Sequence, residues 1–350
     1  MTDPTNNPKV SIIILNYNAG DLLLNCVESV FKTSYNNIEV LVVDNASKDQ
    51  SHKKCKEKFN EIKLIENEQN LGYCEGNNVG IREASGEFIV ILNPDTTVDH
   101  NWITELVSAH REHGDGLYQP KIISLYEENI LQSTGNMIHL FGFGFARDKG
   151  SADSNKRNRI EQVGYASGTC LFTSQKVLKK IGLFDPFLFL YHDDLDLGWR
   201  AAQIDIKSYY VPSSAVYHVE SYNFRWSSKK FYWLERNRRY CLLTHYSKNT
   251  YKKMFPYLLQ AEILVWLFYL TKGFVGPKIR AELEIIKNKK HIQQRYYELE
   301  SKKIVPDTEL IKSFPDEIFV PKNVSGGFGS YIFNLLLKKL SQKAKDKIIK

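Results

Sequence analysis

The acidic run Asp193-Asp194-Leu195-Asp196 is the densest candidate for chemistry in the sequence, with three carboxylates within four residues. Like charges this close raise the pKa of at least one member unless a cation or a helix N-terminus offsets them, which makes a candidate general base. A solvated acidic helix start is the bland alternative, but residues 187–191 just before are apolar and put the cluster at the edge of the core. Two further carboxylates, Asp44 and Asp95, each follow a buried β-branched run. The first suits hydrogen bonds from a nucleobase or ribose, and the second suits a hard divalent cation, which is what lets an acidic crevice hold a diphosphate. Aspartates at strand ends also cap turns, so taken singly both readings stand. His218 ends the apolar string Ala215-Val216-Tyr217, where a lone histidine is more often a hydrogen-bonded core residue than a ligand.

The elements that must position these groups alternate. Residues 10–15 are a continuous β-branched run, and 22–31 carry apolar residues at helical spacing. Residues 38–43 form a second strand, ending in a polar turn that can cap a helix over 53–59. Residues 62–65 and 88–92 complete four strands, with a glycine-punctuated segment over 70–80 between the last two. Strands buried on both faces and alternating with helices predict an α/β fold with a mostly parallel sheet. Ligands bind at the carboxyl ends of such strands, and there the sequence places Asn16-Tyr17, Asp44-Asn45 and Asn93-Pro94-Asp95. Residues 141–160 read as a mobile surface loop, 206–211 and 215–218 as strands, and 229–246 as a basic aromatic helix.

Composition bounds the rest. The 350 residues, 43% apolar and 25% charged, are ordinary globular material, which excludes disorder and fibrous scaffolds. Five widely spaced cysteines, without a Cys-x-x-Cys pair, and no apolar leader before Lys9 predict a reduced, cytoplasmic chain without thiolate metal sites. The net charge of +7 divides unevenly: residues 1–224 hold 21 Lys/Arg against 29 Asp/Glu (−8), and 225–350 hold 26 against 11 (+15). An acidic first part argues against nucleic acid, whereas a basic, aromatic second part suits an anionic membrane surface or a phosphorylated acceptor. Residues 255–274 are strongly apolar, but Gln260, Glu262 and Lys272 leave too short an uninterrupted run to predict a membrane crossing. Residues 331–349 instead read as a helix lying in an interface plane. The 70–80 glycines match neither a phosphate-binding P-loop nor a dinucleotide fingerprint, and no serine nucleophile elbow occurs.

In combination, VSIIILNYN, VLVVDNASKD, NLGYCEGNNVGI, GEFIVILNPDT, GLFDPFLFLYHDDLDLGWR, VYH and LERNRRY resemble the inverting family 2 glycosyltransferases of the GT-A fold. The similarity is to the nonprocessive bacterial and archaeal type, including rhamnosyl and galactofuranosyl transferases, and covers about residues 9 to 247. It implies a GT-A, Rossmann-like catalytic domain over 1–224 and a helical extension over 225–350 for acceptor contact, membrane contact or oligomerisation. It further implies a UDP- or dTDP-sugar donor bound by Asn16, Tyr17, Asp44, Asn70, Gly72, Asn77, Asn78, Asn93 and Asp95. Mn²⁺ or Mg²⁺ would sit on Asp95 and His218, with Asp194 as base positioned by Asp193 and Asp196. Trp199, Arg200, Arg236 and Arg239, with Arg238 beside them, are the acceptor candidates, suited to a glycan or polyprenyl-diphosphate-linked acceptor at the inner membrane face. Asn93 stands where the family carries the first carboxylate of its Asp-x-Asp, which keeps open a catalytically silent subunit that binds nucleotide sugar or a partner enzyme. Nucleotidyl transfer lacks its Gly-rich, Arg-Lys-bearing loop after the first strand.

Overall fold

The computed structural model describes residues 7–154, 156–219, 227–318 and 328–350. The expected boundary between residues 224 and 225 lies outside them.

Ten strands form one mixed sheet in the order β10-β12-β6-β11-β4-β1-β2-β3, with β5 on β12 and β7 on β6. They are β1 (Val10–Asn16), β2 (Ile38–Asp44), β3 (Lys63–Glu66), β4 (Phe88–Leu92), β5 (Thr96–Val98), β6 (Gly116–Ser124), β7 (Leu131–Ser133), β10 (Glu161–Val163), β11 (Cys170–Ser174) and β12 (Lys207–His218); β8 (Asn136–Ile138) and β9 (Gly144–Ala146) pair separately. Helices α1 (Asp21–Phe31), α2 (Ser51–Lys58), α3 (Gly72–Glu83), α4 (Trp102–His113), α5 (Gln175–Ile181) and α6 (Asp193–Gln203) cover the sheet. Beyond them run α7 (Ser228–His245), α8 (Lys248–Thr271), α9 (Val275–Lys287), α10 (Lys289–Lys302), the short α11 (Asp307–Leu310) and α12 (Phe328–Ile349).

The β-branched runs are buried on both faces, which is why they show no alternation. Ile12 and Ile14 point into one core with α1 and α4, while Ile13 points into the other with α3 and α6. Strands β4, β1, β2 and β3 are all parallel, so their carboxyl ends share one edge, with Asn16 opposite Asp44. Strand β11 is reversed between β4 and β6.

Two expectations change, those for residues 141–160 and 206–218, and two other segments gain definition. The glycine-punctuated segment is mostly helix α3, and its glycines are a packing face: a Cβ on Gly76 would meet Leu15 Cδ1 at 2.5 Å, and one on Gly80 would meet Ile13 Cγ2 at 2.5 Å. Residues 141–160 do not form one surface loop, since the β8–β9 hairpin is anchored by the fully buried Leu140 and Phe141. Residues 206–218 make one strand, β12, irregular between Val211 and Ala215. Finally, α8 is a continuous helix of 24 residues, long and apolar enough to cross a membrane by length and composition alone, with Glu262 turned inward to Lys278.

Candidate active site

A cavity of ≈ 500 Å³ opens at the carboxyl ends of β1, β2 and β4 and is closed on the far side by residues 189–195 and the start of α7. Asp95 follows β4 and leads into β5, which pairs antiparallel with β12 so that Thr96 lies opposite His218. That register brings His218 Nε2 to 3.3 Å from Asp95 Oδ2. Gln132 fixes the ring: its amide Nε2 donates to the His218 carbonyl (2.9 Å), which leaves its Oε1 to accept from Nδ1 (2.6 Å). With Nδ1 engaged there, Nε2 is the ring atom turned to a carboxylate oxygen, where the two could share a cation. The donor set, one carboxylate and one oriented imidazole, fits a divalent metal ion.

Across the cavity, α6 begins at Asp193 after Phe189, Tyr191 and His192, all three left-handed (φ 63°, 68° and 59°). Each such residue costs of the order of 1–3 kcal/mol and persists only where its surroundings impose it. Here Asn237 Nδ2, from α7, lies within 2.7–3.0 Å of the carbonyls of Leu188, Leu190 and Tyr191. The first turn of α3 holds the other end, with Tyr73 N donating to the Phe189 carbonyl (2.6 Å). Asp194 Oδ2 accepts from Gly168 N (3.0 Å), and Tyr73 Oη donates to the Gly168 carbonyl (2.6 Å). A Cβ on Gly168 would sit 2.7 Å from Tyr73 Oη, so only glycine lets this peptide reach both groups.

Burial, then the charge of Asp194, raises the Asp193 carboxyl well above the ordinary range. Burial also raises Asp194, against hydrogen bonds from the Gly168 and Leu195 amides. Among the described residues no side-chain cation pairs with either. A carboxylate oxygen that stays basic in this cavity can take a proton from a substrate hydroxyl.

Of the residues expected around a donor, Tyr17, Asn70, Gly72, Asn93 and Asp95 line this cavity. Asn16 and Asp44 do not: Asn16 is fully buried, its Nδ2 donating to Asp44 Oδ1 (2.7 Å) and Ser51 Oγ (2.9 Å), while Asp44 Oδ2 accepts from Ser47 N (2.8 Å). They shape the strand ends from behind, and Asn45 faces the cavity instead. Asn77 and Asn78 point away on α3, with Asn77 donating to the Tyr73 carbonyl and Asn78 bridging both backbone groups of Phe184 (2.9 and 3.0 Å).

The acceptor candidates are corrected more broadly. Trp199 is fully buried and stacks on His245 at 4.7 Å. Arg200 donates to Asp196 (2.8 Å) and to the carbonyls of Ile181 (2.6 Å) and Leu183 (2.9 Å), capping the end of α5. Asp196 therefore belongs to the core and not to the base: Arg200 and His245 hold its carboxyl well below the usual range despite full burial. Arg236 is sandwiched between Phe187 (4.6 Å) and Trp233 (4.4 Å) and donates to the Phe187 and Leu188 carbonyls. Arg238 and Arg239 face Glu262, and Arg239 also Glu282. The cations that do line the cavity are Lys149, Lys229 and Lys230, beside Trp233. Nothing in the sequence marked Tyr73, Gly168 or Trp233; the only local signal for the Asp196–Arg200 pair is its i,i+4 spacing.

The sheet order and the crevice at the strand ends define a GT-A fold. A structure with the same fold is that of GalNAc-T7 with UDP, GalNAc and Mn²⁺, at TM-score 0.54 and 20% identity, covering 63% of this chain and 44% of that one. Residues 11–182 match glycosyl transferase family 2, and this segment is a domain of that family. Among curated relatives, the low-salt glycan biosynthesis hexosyltransferase Agl10 of Haloferax volcanii is 27% identical over 204 residues, 56% of this chain and 62% of the relative. The N-acetylglucosaminyl-diphospho-decaprenol L-rhamnosyltransferase of Mycobacterium tuberculosis is 25% identical over 235 residues, 61% of this chain and 76% of the relative. The chain thus spans less than two thirds of the archaeal relative's length.

Proposed function

We propose that the protein transfers one sugar, with inversion, from a UDP- or dTDP-sugar to a hydroxyl of a glycan acceptor, in cell-surface polysaccharide or glycoconjugate synthesis. The observation that carries this reading is the single cavity facing Asp95 and an oriented His218 on one wall and the unpaired Asp193–Asp194 on the other. Asp194 takes the proton of the acceptor hydroxyl as its oxygen bonds to the anomeric carbon from the face opposite the leaving group. The bond from that carbon to the diphosphate breaks, and its electron pair leaves with the nucleoside diphosphate. Asp95 and His218 would hold Mn²⁺ or Mg²⁺, which supplies charge stabilisation to the departing diphosphate. Tyr17, Asn45 and Asn70 would receive the nucleoside side of the donor, and Asp193 would position its neighbour.

For the acceptor, Lys149, Lys229 and Lys230 supply the positive charge that the buried arginines do not, and Trp233 offers a flat face to a sugar. This fits a diphosphate-linked lipid acceptor, the class named for the mycobacterial relative, and a chain working in the cytoplasm at the inner membrane face. Asn93, which lines the cavity where a carboxylate would add an anionic metal contact, favours the second reading of a silent, nucleotide-sugar-binding subunit.

Thermal melting against UDP-, dTDP- and GDP-sugars, with and without Mn²⁺, separates the two readings from failure. A metal-dependent rise in Tm with one donor, lost in Asp95→Ala, supports the site, and release of nucleoside diphosphate with an acceptor supports transfer. A rise without turnover under any acceptor leaves the silent subunit, and no rise with any donor removes both.

A further inference from the structure

The face of α8 turned away from the core is apolar from Phe255 to Leu270 except for Gln260. Its buried side repeats Met254, Leu258, Ala261, Val265 and Tyr269, as a packed helix should. Its outer side carries Phe255, Leu259, Ile263, Trp266, Leu267 and Leu270, between 37% and 63% exposed. From 255 to 270 this stripe runs roughly 22 Å at 1.5 Å per residue. Next to it α9 exposes Ile279, Leu283 and Ile286 (46–64%). Large apolar side chains in a continuous exposed patch mark an interaction surface.

Charge selects the occupant. Among the described residues no acidic side chain is exposed on α8 or α9: Glu262 and Glu282 turn inward to Lys278, and Glu284 accepts from Asn288 (2.9 Å). The exposed charges of these two helices are all cationic, Lys248 and Lys252 at the start of α8, and Arg280 and Lys287 along α9. An apolar stripe on two helices whose own exposed charges are all cationic matches an anionic lipid surface, whereas a protein partner needs no such one-sided charge. The inner side of the same helix reaches toward the cavity, for Phe268 of α8 and Phe274 just before α9 pack on the buried Phe231 (centroids 6.0 and 4.4 Å), one residue from the cavity-lining Lys230.

We propose that the outer face of α8 and α9 lies flat on an anionic bilayer, with the stripe sunk among the acyl chain tops and the cations at the headgroups. Crossing is a different matter: it would strip the α8 interior side of its packing against α12 and α9 and expose the Glu262–Lys278 pair to lipid. This surface lies on other helices than the interface helix expected over 331–349, which is α12, with Leu337, Ala344 and Ile348 buried and Tyr331, Ile332, Leu335 and Leu336 exposed. It also stands without the sugar-transfer reading, since no group in the cavity is part of it.

The test is flotation of the full chain with vesicles of phosphatidylglycerol and phosphatidylcholine in equal parts, with pure phosphatidylcholine as comparison. The protein is expected to float with the anionic vesicles and to be released by alkaline carbonate. Leu259→Asp combined with Leu267→Asp should weaken binding about tenfold or more, while the Met substitutions at both positions keep it. The Asp variant should keep its Tm and any donor-induced rise in Tm, which separates lost docking from lost folding or an empty cavity. Folded wild-type protein that stays below the vesicles overturns the proposal, as does carbonate-resistant binding. A soluble dimer that the Asp pair converts to monomer would assign the face to a second copy of the chain.

Discussion

Two acidic clusters in this molecule invite opposite uses. In the C-terminal helices, Glu235, Glu262 and Glu282 bring carboxylate oxygens within 4.8 Å of one another, close enough for a metal ion. The ammonium of Lys278, fully buried, already fills that place and donates to all three, with Arg238 and Arg239 completing the balance. Three carboxylates meet three cations, and the cluster is a rivet. In the cavity, Asp193 and Asp194 have amides and no cation, and their carboxyls are pushed up where Glu262 is held down. Proximity of acids is common to both; what differs is whether the fold supplies counter-charge, and only the cluster left short of it retains appetite for a proton.

The largest expected effect breaks the cavity cluster chemically. Asp194→Asn should lower turnover by about 10²–10⁴ with donor affinity nearly unchanged, as calorimetry and steady-state rates would report. Near-normal turnover would take the base role from Asp194. In the unaltered protein the base must be ionised, so turnover rises with pH through the titration of the Asp193–Asp194 pair. Because both are raised, that acid limb belongs above the usual carboxylate range.

Next comes the rivet. Lys278→Met removes a buried cation and leaves three carboxylates to two arginines, which should cost about 3–5 kcal/mol in urea unfolding. Turnover per folded molecule should stay close to wild type; a selective loss of turnover with intact stability would merge the two clusters into one functional unit.

The smallest effect has the opposite sign. A folded-state pKa raised above the unfolded value gives stability that is complete below the unfolded pKa and drains away as pH rises through the folded one. Asp193→Asn escapes that loss, so it should melt a few degrees above wild type, roughly 2–4 °C, at neutral and alkaline pH. The two should converge in acid, and an Asn variant that melts lower at pH 8 would contradict the charge-starved reading.

Residues whose roles depend on local pattern could be read from the sequence, and those that depend on facing could not. The runs of β1, β2 and β4 announce buried parallel strands, and their polar ends mark the crevice edge. Asp193, Asp194 and Asp95 also stand out by type and position, whereas His218 enters only through the family resemblance. But adjacency along α6 says nothing of which side faces the cavity: Asp196, Trp199 and Arg200 turn to the core, one helical face away from Asp194. The α3 glycines imitate a loop because close helix–sheet packing and turns favour the same residue. Gly168 and Tyr73 join the site only through contacts 95 residues apart in the chain.

The grip of Asn237 and Arg236 on residues 187–191 bears on how the protein can be taken apart. The left-handed segment that presents Asp193 and Asp194 is held by side chains some 50 positions downstream. A fragment cut before Ser228 would keep every strand of the sheet and every acid of the cavity, yet surrender the clamp that imposes their backbone. Gene dissection, domain grafting or limited proteolysis at that point should therefore slacken the cavity wall and open the core that Tyr240, Leu242 and His245 complete, so the minimal working unit runs through α7.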